Sequence, residues 1–373
     1  MKNDPSELQR VLAEMAVLIE NNAEPNQKLY SLFFQNPELS FKLVDLINNL
    51  EDEQVETDPS IYSACVFSLD ICVAQLQAGA EANNKITTKV LNQLMNHLAA
   101  AINSQKHSLS FWLPVLNAFY EVHVELTEEL KAAYFNLASD EEELSDELDQ
   151  TSHLDTIRDL ILDLSDLSIF DIAENFFAQS YAMPADFFAD LIVDLYNIPE
   201  GHEIALLTLL HPKAEVRDVV VSVFDQIMDK IRLTSAALTR LQTIKYWYPE
   251  SYRAYFDKWI KEQRKKGVVF EKEPKPTNVT ITATEIDGTG SQGVFITVKA
   301  GRKNRLCGLL FNYQIGIKDA WITPTITNKE VKEYHSQAFD ESVTLREVDN
   351  DYLRMMTEHF IAVSVAHGEV PNL

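Results

Sequence analysis

The glycine-rich stretch Gly288–Gly293, GTGSQG, has the spacing of loops that bind phosphate groups. In dinucleotide-binding proteins a helix follows such a loop, and the N–H groups at its first turn bind the phosphate. Here the next residues, VFITVKAG, alternate in the manner of a strand. A kinase glycine loop does join two strands, but no H-R-D or D-F-G sequence follows to supply a base and metal ligands. The stretch therefore predicts a hairpin turn.

Nucleophilic and metal-binding patterns are missing from the sequence. Ser291 is not in a G-x-S-x-G elbow, because position 289 is Thr. Cys307 lies within an apolar strand pattern, which favours a place in the core. His359 and His367 are eight residues apart, whereas two zinc ligands on one helical face need a spacing of four. We expect no catalytic residue, metal or cofactor.

One enzymatic alternative stays open in the last hundred residues. It needs Asp319, His335, Glu358 and His359 to meet in one pocket, because catalytic groups must lie within hydrogen-bond reach of one reacting centre. The sequence separation of these four side chains means that only the fold can bring them together.

A second alternative is a nucleic-acid site on a basic hairpin formed by Lys299, Arg302, Lys303 and Arg305, with Trp321 as a stacking residue. Cations follow the phosphate backbone, and aromatic rings stack on bases. Against this site, acidic residues lie in the same region, and its aromatic residues also suit the core of a small sheet. These residues are Glu285, Asp287, Asp319, Phe295, Phe311 and Tyr313.

The net charge of −25 is concentrated in residues 1–248, where 15 Lys and Arg oppose 40 Asp and Glu. Residues 249–373 contain 17 of each kind. A surface this acidic repels phosphate, so residues 1–248 are not expected to bind nucleic acid. The strongest acidic run, residues 139–150, predicts a solvated connector or exposed helix, or a docking site for a basic partner.

The amino-terminal residues, the apolar runs and the cysteines indicate the compartment in which the protein resides. The amino-terminal MKNDPSELQR lacks the basic and apolar regions of a signal peptide, and the longest apolar runs are too short for a membrane span. Three cysteines without C-x-x-C spacing fit a reducing compartment. We expect a cytoplasmic protein with no membrane span.

Residues 1–138 read as successive amphipathic helices, with apolar residues at three- and four-residue steps and no strand-like alternation. The clearest helical pattern of the whole chain lies later, at His202–Ile231. Its second helix carries an apolar stripe after a turn at His211-Pro212, and such a stripe needs a neighbouring helix to cover it. The stripe consists of Val216, Val219, Val220, Val223, Phe224, Ile227 and Ile231.

An internal repetition precedes this hairpin and includes it. DLILDL begins at Asp159, DLIVDL at Asp190 and DVVVSV at Asp218. Similar composition among Leu- and Asp-rich helices is one explanation, and a stack of helical hairpins is the other. The sequence LLHPKAEVRDVVVSVFDQI resembles a HEAT repeat, although His211 and Lys213 flank the proline where the usual Asp is absent. The resemblance implies an α-solenoid, a fold used mostly to hold partners.

Residues from Tyr246 onward form an aromatic and then basic helix that ends near Gly267. It predicts either the capping helix of the solenoid or a site for nucleic acid or acidic lipid. After a linker at 268–278, alternating apolar residues predict an antiparallel sheet. Thr327 with Glu330 predicts a capping box, and Asp349 the cap of a last helix.

The predicted fold is therefore mainly α: a solenoid-like stack of helical hairpins followed by a small α+β domain. Its predicted parts are residues 1–138, an acidic connector at 139–150, HEAT-like repeats at 151–267, the linker, and an α+β domain at 279–373. The favoured function is a non-catalytic scaffold or adaptor whose acidic helical surface binds another protein. Enzymatic or nucleic-acid-binding activity of the carboxy-terminal domain is the alternative.

Overall fold

The computed structural model describes residues 5–21, 23, 25–148, 153–271, 279–300, 303–323, 325–338 and 343–367, without the side chains of 5–7, 54, 56, 140–148, 153, 300 and 335–338. The chain is mainly α-helical and ends in a small α+β domain with an antiparallel sheet, which confirms the predicted fold class. Its contacts divide it into two compact units. Unit 1 comprises residues 1–152 and 175–184, and unit 2 comprises 153–174 and 185–373.

The described residues of unit 1 before residue 149 form eight helices. They are α1 (Pro5–Glu20), α2 (Gln27–Gln35), α3 (Leu39–Asn48), α4 (Asp52–Thr57), α5 (Ser60–Glu81), α6 (Lys85–Ile102), α7 (Leu109–Tyr120) and α8 (Glu128–Leu148). The predicted connector at 139–150 is thus helical as far as Leu148, because it continues the backbone of α8.

Helix α5 is the centre of unit 1, since α1, α2, α3, α4, α6 and α7 all pack against it. Its buried residues lie on several sides of the helix, as its apolar sequence requires. By length and composition it is the one described helix that could cross a membrane, and half of that stretch is buried within the fold. Asp70 is the single charged residue between Ser60 and Ala80.

Unit 2 begins with the repeated segment. Its helices are α9 (His153–Asp163), α10 (Ile169–Gln179, whose last five residues belong to unit 1), α11 (Phe187–Asn197), α12 (His202–Leu207), α13 (Ala214–Ile227), α14 (Ser235–Trp247) and α15 (Arg253–Lys265). The predicted hairpin at 202–231 is present as α12 and α13. Lys213 is the N-cap of α13, so Pro212 lies in the turn before the helix and not in its first turn.

The repeat helices pack in series. α9 contacts α11, α11 contacts α13 and α13 contacts α15, while α12 contacts α14 in a second row. Equivalent positions of the three repeated sequences are buried together, which similar composition alone does not require. The two clearest sets are Ile157, Phe188 and Val216, and Ile161, Ile192 and Val220. This two-row arrangement supports the solenoid interpretation.

Side chains at the end of helix α15 form hydrogen bonds with the backbone that follows α13. Buried Gln263 donates from Nε2 to the carbonyls of Met228 (2.9 Å) and Ile231 (3.1 Å) and accepts from the Leu233 N–H (2.9 Å). Lys266 Nζ donates to the Met228 and Asp229 carbonyls. The two side chains thereby satisfy carbonyls at the end of α13, as a capping helix would.

The α+β domain has five strands in the order β4-β3-β2-β1-β5, all antiparallel. They are β1 (Val279–Ala283), β2 (Ser291–Ala300), β3 (Lys303–Asn312), β4 (Gly316–Ile322) and β5 (Arg346–Val348). Two helices accompany them, α16 (Asn328–Ala338) and α17 (Asn350–His367). The capping box is confirmed, since the Thr327 N–H donates to Glu330 and the Glu330 N–H donates to Thr327.

Helix α17 covers one face of the sheet and also packs on α14 of the repeat region. Phe360 stacks on Phe311 with ring centroids 4.7 Å apart. The buried Arg217 of α13 donates from Nη1 to the His211 carbonyl (2.6 Å) and from Nη2 to the Val365 carbonyl of α17 (3.4 Å). The predicted linker, of which 272–278 lie outside the described residues, therefore separates two segments of one compact unit.

Asp70 makes the stability of unit 1 depend on pH. Burial, and then the nearby Glu121 carboxylate, raise the Asp70 pKa from 3.8 to about 7. As pH rises, Asp70 ionises in the unfolded chain before it ionises in the folded protein. Its contribution to the free energy of unfolding is therefore complete below about pH 4 and is lost between about pH 4 and 7. We expect Asp70→Asn to stabilise the protein relative to wild type by about 2–4 kcal/mol more at pH 8 than at pH 4. Denaturation at both pH values tests this, with exposed Glu20→Gln as control; equal differences for both variants would contradict it.

Gly316 lies tightly against α17. Its φ is +103°, and an added Cβ would lie 2.2 Å from Ser364 Oγ and 2.7 Å from the Phe360 carbonyl oxygen. We expect Gly316→Ala to lower the free energy of unfolding by about 2–4 kcal/mol. Gly288→Ala is the matched control, because no atom lies within 4 Å of its added Cβ. Similar denaturation midpoints for the two variants would show that the contact is not tight.

Candidate protein-interaction surface

The repeat helices α9 and α11 present an apolar residue flanked by carboxylates at equivalent positions. We name this surface the repeat strip: Asp159, Leu162 and Asp163 on α9, and Asp190, Val193 and Asp194 on α11. Leu162 is 50% exposed and Val193 42% exposed, although both helices bury their opposite faces in the core. Large apolar side chains that stay exposed on adjacent elements are typical of interaction surfaces.

In α13 the protein itself covers the equivalent positions. Val221, which corresponds to Leu162 and Val193, is only 4% exposed. Asp218, which corresponds to Asp159 and Asp190, accepts a hydrogen bond from the Tyr252 hydroxyl, and Ser222 stands where Asp163 and Asp194 do. Further along α13, Asp225 accepts from Lys258 Nζ (2.7 Å) and Trp259 Nε1 (3.1 Å). Asp218 and Asp225 of α13 therefore bind the next segment of the chain, and the open strip is limited to α9 and α11.

The strip carries negative charge that the described residues do not neutralise. The side chains of Asp159, Asp163 and Asp190 form no hydrogen bond or ion pair with any described residue. Residues 153–231 contain 15 Asp and Glu but only four Lys and Arg. Two of these four are engaged elsewhere, since Arg158 pairs with Asp155 (2.6 Å) and Arg217 is buried. The electrostatic potential of the strip is therefore negative and suits a basic partner.

The residues of the predicted nucleic-acid site are divided between the two faces of the sheet. Ala300 pairs with Lys303 and Val298 with Arg305, so Lys303 and Arg305 lie on the face that α17 covers. Lys299 pairs with Asn304 on the opposite face, the same face as Trp321. Arg302 lies outside the described residues. The described cations thus do not form one track beside the aromatic residue.

Trp321 has a packing role that accounts for its position. Its ring lies directly on Gly308 of β3, where an added Cβ would be 2.3 Å from Cε2. Its ring also stacks near Tyr334 of α16, with centroids 6.1 Å apart and planes at 25°. Trp321 therefore connects the sheet to α16, and Gly308 provides the space that this requires.

The residues of the predicted polar cluster do not meet at one described centre. Asp319 pairs with Leu310 and lies on the sheet face opposite α17. Glu358 and His359 are exposed residues of α17, and the side chain of His335 is not described. The described residues contain no group of His, Cys, Asp and Glu that could hold a metal ion. Cys307 is half-buried, and burial raises the pKa of its thiol, which opposes nucleophilic reactivity.

A polar surface cleft of 920 Å³ lies in unit 1, at the turn between α3 and α4. It is lined by acidic groups and by His107, whose Nδ1 is 2.5 Å from Asp52 Oδ1 and whose Nε2 is 3.2 Å from the Asn48 carbonyl oxygen. The ring of His107 also stacks on Phe111, with centroids 3.8 Å apart. These contacts hold α4 against the start of α7, so this histidine already has a structural role.

The repeat strip was not among the residues that the sequence predicted as sites. The signal was present, because DLILDL and DLIVDL place an Asp three residues before and one residue after the exposed apolar position. Within one helix, however, such a residue looks like a further part of the core stripe. Only the packing of α9 and α11 shows which apolar residues stay outside.

A family model and a curated protein each match part of the chain. A family model described as the Y4lR second domain matches residues 184–267, which include α11 to α15. An uncharacterised protein named y4lR, from Sinorhizobium fredii (strain NBRC 101917 / NGR234), is 26% identical over 171 residues, or 45% of this chain. The match spans 33% of that relative. No solved structure matches the chain. Neither match has a HEAT-repeat description, so that resemblance remains a prediction.

We expect Trp321→Ala to loosen α16, because it removes the ring that lies between Gly308 and Tyr334. The free energy of unfolding should fall by about 1–2 kcal/mol, and amide hydrogen exchange should rise in α16. Ile322→Ala is the matched control, since Ile322 is the next residue of β4 and is 61% exposed. Equal hydrogen exchange in α16 for both variants would show that Trp321 does not hold α16 on the sheet.

Proposed function

We propose that the protein is a non-catalytic scaffold or adaptor that binds another protein through its acidic helical repeats. The repeat strip is the observation that carries this proposal: two exposed apolar residues at equivalent positions of adjacent helices, each between carboxylates. Stacked helices hold such groups at fixed spacing, which lowers the entropic cost of binding an extended partner surface.

The enzymatic and nucleic-acid alternatives receive less support from the geometry. An active site in the α+β domain needs Asp319 on the same side of the sheet as Glu358 and His359, and the pairing of β4 places it on the other side. A nucleic-acid site needs its cations along one track, and Lys299 lies on the opposite face from Lys303 and Arg305.

Charge reversal within the strip tests the scaffold proposal. Wild type and the double variant Asp159→Lys/Asp190→Lys are immobilised and exposed to a lysate of the source organism, and the captured proteins are quantified by mass spectrometry. We expect a partner captured by wild type to fall at least about tenfold with the variant, because two attractive contacts become repulsive.

The matched control is Asp319→Lys/Glu358→Lys, which makes the same charge change at two exposed positions of the α+β domain. Circular dichroism and thermal denaturation confirm that both variants fold. The proposal predicts that this control captures the partner as wild type does. It fails if wild type captures no specific protein, or if the strip variant and the control lose the same proteins equally.

A further inference from the structure

The spacing of the repeat strip indicates what kind of protein segment fits it. Packed helices lie about 8–10 Å apart, so Leu162 on α9 and Val193 on α11 are separated by roughly one helix diameter. On a helical partner, residues seven apart lie on one face and are separated by about 10.5 Å along the axis. An extended segment offers same-face side chains about 7 Å or 14 Å apart, which matches less well.

The charges of the strip determine which residues flank those two anchors. Asp159 lies about one helical turn before Leu162 and Asp163 directly follows it, while Asp190 lies about one turn before Val193. None of the three has a hydrogen-bond or ion-pair partner among the described residues. Lys or Arg beside each apolar anchor would meet these carboxylates, and the long aliphatic stems of these residues would add apolar contact.

The covered part of the same row shows how such contacts are made. On α13, Asp218 is the equivalent of Asp159 and Asp190, and it accepts a hydrogen bond from the Tyr252 hydroxyl just before α15. Asp225, about two turns further along α13, accepts from Lys258 and Trp259 of α15. Asp159 and Asp190, which correspond to Asp218, have no such partner among the described residues. A partner helix that carries cations would supply hydrogen-bond donors to these two carboxylates.

We propose that the repeat strip binds a basic amphipathic α-helix of a partner protein, with two apolar residues seven positions apart that contact Leu162 and Val193. This inference rests on the proposed scaffold function and gives its partner a chemical class. Affinity comes from two partly buried apolar anchors and from charge pairs screened by salt, so binding weakens as ionic strength rises.

The test uses the full chain and three synthetic 18-residue peptides. The first has two leucines seven apart, with lysines beside each on an alanine background. The second has the same composition with the leucines on opposite faces, and the third replaces lysine with glutamate. Fluorescence anisotropy measures binding at several salt concentrations. We expect the first peptide to bind at least about fivefold more tightly than the second, with no binding of the third.

Two variants localise the binding. We expect binding of the first peptide to weaken about fivefold in each of two double variants, Leu162→Ser/Val193→Ser and Asp159→Asn/Asp190→Asn. The Asp→Asn double variant should also reduce the salt dependence of binding. Asp319→Asn/Glu358→Asn should bind as wild type. Hydrogen exchange should show protection at 157–166 and 188–197. Equal binding of the first two peptides, equal behaviour of strip and control variants, or protection elsewhere would overturn the inference.

The two proposals fail in different ways. If a native partner depends on the strip but the first peptide does not bind there, the scaffold function stands and the helical occupant is wrong. If the peptide binds at the strip but charge reversal removes no captured protein, the strip recognises basic helices and the scaffold function proposed for it is wrong.

Discussion

The structure of unit 2 depends on one constraint: no repeat helix can bury its apolar stripe alone. α9, α11, α13 and α15 solve this by packing in series, and α12 and α14 form the second row. Such a stack has two ends that need cover. At one end α15 satisfies the carbonyls that follow α13, and α17 packs on α14 while also covering the sheet. The small domain is therefore part of how the repeats are completed.

Short sequence patterns correctly predicted the helix caps and the strands of the α+β domain. Thr327 with Glu330 predicted a capping box, and Asp349 accepts from the Tyr352 N–H (2.7 Å) as a helix cap does. The strand alternation predicted the antiparallel sheet, although β5 is only three residues long. The caps and the alternation within each strand depend on residues only a few positions apart, where propensity and local hydrogen bonding act together.

Features that depend on distant residues were not visible in the sequence. In the sequence the cations of the basic hairpin lie close together and suggest one site. In the fold, β2 extends to Ala300 and β3 begins at Lys303, so the strands place these cations on alternate faces of the sheet. Likewise, nothing near Leu162 indicates that it is exposed while Val221 is buried. Tyr252 and Lys258, which occupy the carboxylates of α13, lie more than 30 residues away in sequence. Candidate sites of this kind can be identified only once the fold is known.

The contact between Arg217 and Val365 also bears on how the chain folds. The two residues are 148 positions apart, and α14 and α17 are joined across a comparable separation. During synthesis α13 and α14 emerge well before α17, so the surfaces that α17 covers stay exposed until it is synthesised. An early intermediate with repeats but no α17 would therefore expose apolar surface and be open to aggregation. Covering a helical stack with a helix from the far end of the unit raises the contact order, and slower folding is its kinetic consequence.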